Sequence, residues 1–247
     1  MLFKTNTIVG HRGCRMADQS NTIEAFERGM AAGAEMLEMD VRKTRDDVLV
    51  VFHDPDIKGV RIRGNLYEDM AGIANQEGKV LPTLEEVLTR LAGKSQLMVE
   101  LKEAGYEELV MTMLLKHLLI NEFVVTSFMD EVLMKIKKGF PTVKTGLILG
   151  VGPKNAEFTR HGLAGVAQRI SEYFPWQRLK SCGADFMCIN YKRLALGILR
   201  TAHKRGVQVM VWTVNDPGLI KKLMLTHKVN CLITDRPDLA VEIRKSL

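Results

Sequence analysis

The stretch "VQVMVWTVNDPGLIKKLMLTHKVNCLITD" (Val207–Asp235) contains the unit that decides the fold. "VQVMVWTV" (Val207–Val214) is a nearly unbroken apolar run and reads as a strand. "PGLIKKLMLTHK" (Pro217–Lys228) is amphipathic and reads as a helix. "CLITD" (Cys231–Asp235) is a second strand, and "PDLAVEIRKS" (Pro237–Ser246) a second helix with Pro237 at its first position. Near-continuous apolar strands alternating with helices imply a parallel sheet covered by helices.

The same alternation extends back to the start of the chain. Strands beginning at Thr7, Met36, Gln96, Phe123, Thr145, Asp185, Val207 and Cys231 make eight. Between them, "NTIEAFERGMAAG" (Asn21–Gly33) reads as a helix with Asn21 as N-cap, Glu24 three residues on and Gly33 at its end. "TLEEVLTRLAG" (Thr83–Gly93) carries a Thr83/Glu86 capping box. "RDD" (Arg45–Asp47) turns the second strand into the hairpin partner "VLVVFHD" (Val48–Asp54). The segment Val151–Ser181 is the least legible and is expected to hold one or two helices. Eight strand–helix units in 247 residues, with no Pro/Gly/Ser-rich linker, predict an α/β chain folded as a (β/α)8 TIM barrel, one domain over 1–247. A doubly wound open sheet is the alternative.

Composition is that of an ordinary globular chain, 46% hydrophobic and 26% charged. The net charge of +6 modestly favours phosphate-bearing partners. The basic clusters "KIKKG" (Lys135–Gly139), "HKRG" (His203–Gly206) and "HK" (His227, Lys228) fall where helices end, where cations complement the helix dipole. No aromatic residues interleave them, so nucleic acid is not an expected partner. The four cysteines (Cys14, Cys182, Cys188, Cys231) show neither C-x-x-C nor metal-ligand spacing, which fits a reducing, cytoplasmic setting. The first residues lack the pattern of a signal peptide. The most apolar window, Leu109–Ile120, is too short to span a bilayer, so no stable membrane insertion is expected. Oligomeric state is not legible.

In a barrel, function belongs at the C-terminal ends of the strands, and unusual polar residues gather there. His11 and Arg12 end the first strand, Glu38 and Asp40 the second, His53 and Asp54 its hairpin partner, Glu100 and Lys102 the third. Charges spaced two apart inside apolar strands are costly unless paired or bound to metal. Glu38, Asp40 and Glu100 make a set of hard oxygen ligands suited to Mg2+ or Ca2+. One divalent cation brings the three carboxylates to −1, and Arg12 with Lys102 brings the site to +1, a match for a phosphodiester monoanion. Two histidines supply a general acid and a general base near neutral pH. Buried ion pairs, Lys102 with Glu100 or Arg12 with Asp40, are the competing reading. His117, His161, His203 and His227 read as capping or surface residues, Ser127 as loop chemistry, and Gly150–Gly152 as an incomplete nucleotide fingerprint.

"GHRG" (Gly10–Gly13), "NTIEAF" (Asn21–Phe26), "LEMDVRKTRDDVLVVFHD" (Leu37–Asp54), "LPTLEEVL" (Leu81–Leu88), "VELK" (Val99–Lys102), "VWTVND" (Val211–Asp216) and "LITDRPD" (Leu232–Asp238) together resemble the glycerophosphodiester phosphodiesterase family, in the family's order and over nearly the whole chain. The resemblance implies a barrel enzyme that hydrolyses glycerophosphodiesters to glycerol 3-phosphate and an alcohol, with one divalent cation. It implies His11 and His53 as the acid/base pair, Glu38, Asp40 and Glu100 as metal ligands, and Arg12 and Lys102 as phosphate-binding residues. Trp212 falls on a tryptophan that stands near the substrate in the family; core packing is the other reading of it. Two positions depart from the pattern. "QSNT" (Gln19–Thr22) has Ser20 where the family carries glutamate, and the hairpin turn has Asp47 in place of glycine. Two alternatives of different kind are a lysophospholipase D-type phosphodiesterase, which needs an exposed apolar mouth, and a barrel that binds glycerophosphodiesters without turnover, which needs neither histidine.

Overall fold

The computed structural model describes residues 3–15, 19–150, 171–172, 175–194, 197–227 and 229–247. Eight parallel strands close on themselves: β1 (Thr7–Gly10), β2 (Met36–Lys43), β6 (Gln96–Leu101), β7 (Phe123–Ser127), β8 (Thr145–Leu149), β9 (Phe186–Asn190), β10 (Gln208–Trp212) and β11 (Cys231–Thr234), with β1 paired to both β11 and β2. This is the expected (β/α)8 barrel, and every predicted strand start lies within one residue of an observed one. β3 (Leu49–Val51) pairs antiparallel with the end of β2, while β4 (Asp56–Ile57) and β5 (Val60–Arg61) form a separate two-stranded piece. Among the described residues no helix is long and apolar enough to cross a membrane. The segment 151–170, where helices were expected, together with His161, Gly152 and Lys228, lies outside the described residues.

Alternation along the strands sorts the core. Val9, Met36, Met98, Val124, Ile148, Cys188, Met210 and Ile233 fill the barrel interior, while Leu37, Val99, Leu147, Val209 and Leu232 belong to clusters shared with the surrounding helices. The segment after β3 packs its own small core, with Ile57, Ile62, Met70 and Ala74 against Val50. The basic residues expected at helix ends are there: Lys137 and Lys138 in the last turn of Asp130–Gly139, His203 and Lys204 in that of Ile198–Lys204. The capping box on Leu84–Leu91 is complete. All four cysteines are free and buried.

One expectation is corrected. The N-cap of α1 (Ile23–Ala31) is Thr22, whose hydroxyl accepts from the Ala25 N–H. Asn21 stands one residue earlier in the left-handed region, at φ 60°, buried, with its side chain turned into the barrel mouth. A capping pattern on adjacent Asn and Thr does not say which one caps; here the polar demand of Asp40 takes the asparagine.

The turn after β1 is pinned by glycines. A Cβ on Gly10 would stand 2.1 Å from the Gly13 carbonyl oxygen, and one on Gly13, at φ +90°, 2.5 Å from the Ala25 backbone. Gly13→Ala is therefore expected to cost about 2 kcal/mol or more, a fall of roughly 4–8 °C in Tm. Gly72→Ala, inside the helix Tyr67–Gln76 with nothing within 4 Å, should instead raise stability by about 0.5–1 kcal/mol. Thermal unfolding of the two variants checks both signs.

Candidate active site

The predicted charged residues meet at the C-terminal mouth of the barrel. Glu38, Asp40 and Glu100 are all buried, and each offers an oxygen within 4.8 Å of the others. They come together because Glu38 and Asp40 share one face of β2, and Glu100 on β6 is in register with Asp40. Asp40 is the most heavily partnered. It receives Arg12 Nε at 3.0 Å, Lys102 Nζ at 3.3 Å and Asn21 Nδ2 at 2.8 Å. Lys102 also binds Glu100 at 2.6 Å, and the Arg12 backbone N–H donates to Glu38 Oε2 at 2.9 Å. Both ion pairs of the competing reading thus exist, inside the same cluster that brings the three carboxylates together.

The electrostatics separate the two β2 carboxylates. Burial pushes Asp40 up, but Lys102, Arg12 and the Asn21 hydrogen bond outweigh it and hold its carboxyl well below the usual range. Burial, with Asp40 and Glu100 alongside, pushes Glu38 well above its ordinary value. With all three carboxyls ionised, Arg12 and Lys102 leave the cluster one negative charge in excess, and the rise at Glu38 is the response to it. A buried uncompensated charge is expensive, and a hard cation on the Glu38, Asp40 and Glu100 oxygens relieves that excess. The donor set therefore fits a divalent cation.

His11 and His53 stand on different supports. His11 Nδ1 lies 2.7 Å from Asp235 Oδ1, and Asn215 Nδ2 donates to the other Asp235 oxygen at 2.6 Å. Burial pushes Asp235 up, but the His11 hydrogen bond and charge, and Asn215, bring it below its ordinary value. An ionised carboxylate only accepts, so Nδ1 carries the hydrogen and Nε2 is left bare, 4.0 Å from Glu38. Burial lowers His11 despite Asp235, and Arg12 lowers it further. The His53 side chain is a third exposed, and its Nδ1 binds Asp54 at 2.7 Å.

Both histidines, Arg12, Lys102, Glu38 and Glu100 line one cavity of about 300 Å³. Its other wall is apolar, with Phe128, Ile148 and Trp212. Trp212 stands edge-on to Phe128 with centroids 5.8 Å apart, and its buried Nε1 has no hydrogen-bond partner among the described residues. It both packs and faces the cavity. Arg12 and His53 also line a neighbouring groove of about 1010 Å³, which contains Ser20. Of the remaining histidines, His117 approaches Glu85 on the outside of the barrel. Ser127 donates to the Leu101 carbonyl and accepts from the Met129 N–H, a loop role as expected.

The profile of the glycerophosphoryl diester phosphodiesterase family matches residues 11–239. The chain belongs to this family. Its fellow members are named as phosphoric diester hydrolases. A glycerophosphodiester phosphodiesterase of Caldanaerobacter subterraneus is 26% identical over 254 residues, covering 96% of each chain. The crystal structure of a glycerophosphodiester phosphodiesterase from Parabacteroides distasonis has a TM-score of 0.79 to this chain at 27% identity, covering 98% of both. A phosphodiesterase of Oleispira antarctica, solved with the product sn-glycerol-3-phosphate, has a TM-score of 0.78 at 19% identity, covering 98% of this chain and 97% of its own. That last likeness speaks for the fold alone.

The charged residues expected at the site, His11, Arg12, Glu38, His53, Glu100 and Lys102, all line the cavity; Arg15 lines it too without having been expected there, and the partners Asp235 of His11 and Asn21 of Asp40 were not read as site residues. Asp235 follows β11 as His11 follows β1, so the strand-end rule that found the others applies to it equally; from the sequence it read only as the end of the last strand. Asn21 was legible only as a cap.

The charge excess generates a prediction. Saturating Mg2+ or Ca2+, at about a hundred times its Kd, should stabilise the protein by about 2.7 kcal/mol over the chelated form. Glu38→Gln should melt no lower than the parent in chelator, since it removes a repelled carboxylate, and should lose most of the gain from cation. Thermal unfolding with and without chelator reads both.

Proposed function

We propose that the protein hydrolyses glycerophosphodiesters to glycerol 3-phosphate and an alcohol, using one divalent cation, Mg2+ or Ca2+, held by Glu38, Asp40 and Glu100. The observation that carries the reading is the convergence of two carboxylate-supported histidines, the buried Lys102 and the half-buried Arg12 on one cavity beside three carboxylates. When bound, the cation supplies positive charge against the charge that builds on the phosphoryl oxygens.

The chain's own residues do the rest. Arg12 and Lys102 hold the non-bridging oxygens; Arg12 does so with a planar fork of donors. His11, neutral because burial lowers it and with Nδ1–H committed to Asp235, takes at Nε2 the proton of the attacking oxygen, that of water or of the substrate's own glycerol hydroxyl. A bond from that oxygen to phosphorus forms as the bond to the alcohol oxygen breaks; where the glycerol hydroxyl attacks, the cyclic phosphate it forms is opened by water in a second step to give glycerol 3-phosphate. His53, which lines both the cavity and the wider groove, gives a proton to the departing alkoxide. Trp212 closes the apolar wall and keeps an N–H free for a substrate oxygen. A pure binder would have no use for two proton-transfer groups each backed by a carboxylate. The free, buried cysteines support a reducing compartment, and we place the protein in the cytoplasm.

Release of glycerol 3-phosphate from glycerophosphocholine, glycerophosphoethanolamine and glycerophosphoglycerol, and of lysophosphatidic acid from lysophosphatidylcholine, with each cation, tests the reading. His11→Ala and His53→Ala should each lose at least about a hundredfold in turnover while the cation still raises Tm. A substrate with a much better leaving group should rescue His53→Ala and not His11→Ala. Undiminished turnover in both variants, or full activity in excess chelator, would overturn it.

A further inference from the structure

Arg42 is a fully buried arginine on β2 that the mechanism above does not use. It follows Glu38 and Asp40 at the same two-residue spacing, so it shares their face of the strand. Its fork reaches out of the barrel wall to the hairpin. Nε and Nη2 both donate to the backbone carbonyl of His53, at 2.9 and 2.6 Å. Nη1 donates to Glu103 Oε1 at 2.7 Å. Glu103 is itself tied down, since its N–H donates to the Tyr106 hydroxyl at 3.1 Å, and that hydroxyl donates to the Val41 carbonyl at 2.7 Å. Burial pushes the Tyr106 hydroxyl far up, so it keeps its proton as a donor.

The location of His53 gives this network its consequence. The ladder between β2 and its hairpin partner ends with the Phe52 N–H on the Asp40 carbonyl. His53 lies one residue beyond, and among the described residues its ring is hydrogen-bonded to Asp54, which is more exposed still. Its side chain is a third exposed, about twice the exposure of His11. The peptide plane between His53 and Asp54 carries the carbonyl that Arg42 grips, so gripping it orients both residues and the Nδ1–Oδ1 bond between them. A buried arginine paired with glutamate is on average no better for stability than apolar packing, and an aliphatic side chain would serve the barrel wall there. What an aliphatic side chain cannot supply is two donors converging on one carbonyl.

We propose that Arg42, held by Glu103, is the positioning residue of His53: its fork sets the peptide plane that aims the imidazole at the cavity. The inference rests on His53 as a proton-transfer group. It is tested on the cation-loaded enzyme with glycerophosphocholine as substrate, using Arg42→Met, Arg42→Lys, His53→Ala and the double variant Arg42→Met/His53→Ala. Arg42→Met should lower kcat by roughly ten- to a hundredfold, the range of a small misplacement of a reacting group, and leave KM within about twofold. Arg42→Lys keeps the charge facing Glu103 but not the fork, and should recover only part of the loss. In the His53→Ala background the Arg42→Met change should cost less than about twofold in kcat, because its effect passes through the ring that is gone. The cation titration of Tm in Arg42→Met should match that of the parent.

Several results would overturn the proposal: parental kcat in Arg42→Met, a loss confined to KM, a full repeat of the loss on top of His53→Ala, or a displaced cation titration. If Arg42→Met does not fold, Arg42→Lys decides, and parental kcat there overturns it. If His53→Ala itself turns over like the parent, the two-histidine reading falls and takes this inference with it. If His53→Ala is slow while Arg42→Met is not, the reading stands and only the role of Arg42 falls.

Discussion

The Asp40 carboxylate is the point on which the mouth of the barrel depends. It is buried and ionised, and it is tolerable there because three segments bring donors to it: Arg12 from the turn after β1, Asn21 from the lead-in to α1, and Lys102 from the end of β6. Leaving such a charge uncompensated costs several kcal/mol, more than the local strain its partners accept. Arg12 at φ 51° and Asn21 at φ 60° both sit where an L side chain is disfavoured. The glycine-bounded turn is the form the chain takes when the residue after the first strand must aim one way with its ring and the next must reach back to the second strand.

The two histidines divide the site into a rigid side and a compliant one. His11 extends the β1–β11 ladder with its backbone N–H and is braced by a half-buried aspartate that is itself braced by Asn215. His53 stands past the end of a three-residue strand, on a segment whose small core is separate from the barrel's. It also borders the wider groove, so the side of the cavity with more freedom is the side open to bulkier groups. The apolar wall of Phe128, Ile148 and Trp212 lies across from the carboxylates, and there the weakly polar surroundings strengthen every charge interaction above it.

Almost all of the barrel was legible because its signal is local. Each barrel strand is an apolar run, and helices such as Leu84–Leu91 announce themselves with caps that need no knowledge of what lies across the fold. The charged strand ends were legible for the same reason, since Glu38 with Asp40 and Glu100 with Lys102 break an apolar pattern within a few residues. What stayed hidden is what depends on long-range partners. Asn21 has the composition of a cap and the location of a ligand to Asp40, and only the three-dimensional position of Asp40 chooses between them. Arg42 stands near the end of β2, yet it is fully buried, because His53 from the hairpin and Glu103 from the segment after β6 close over it. Trp212 was open between packing and substrate; it packs edge-on against Phe128 and also lines the cavity. The segment after β8 gave no clear periodicity.

Closure of the barrel joins residues 224 positions apart, His11 and Asp235, across the seam between the first and last strands. During synthesis from the N-terminus the halves of the site therefore come of age at different times. Arg12, Asn21, Glu38, Asp40, His53, Glu100 and Lys102 are all present once the first hundred or so residues have emerged, and their charges can begin to balance one another. The brace of His11 arrives only with β11, after every other strand has been made. A growing chain can thus gather its acidic cluster early, but it cannot possess a finished site before the barrel shuts. The seam that completes the fold is also the one that seats Asp235 against His11.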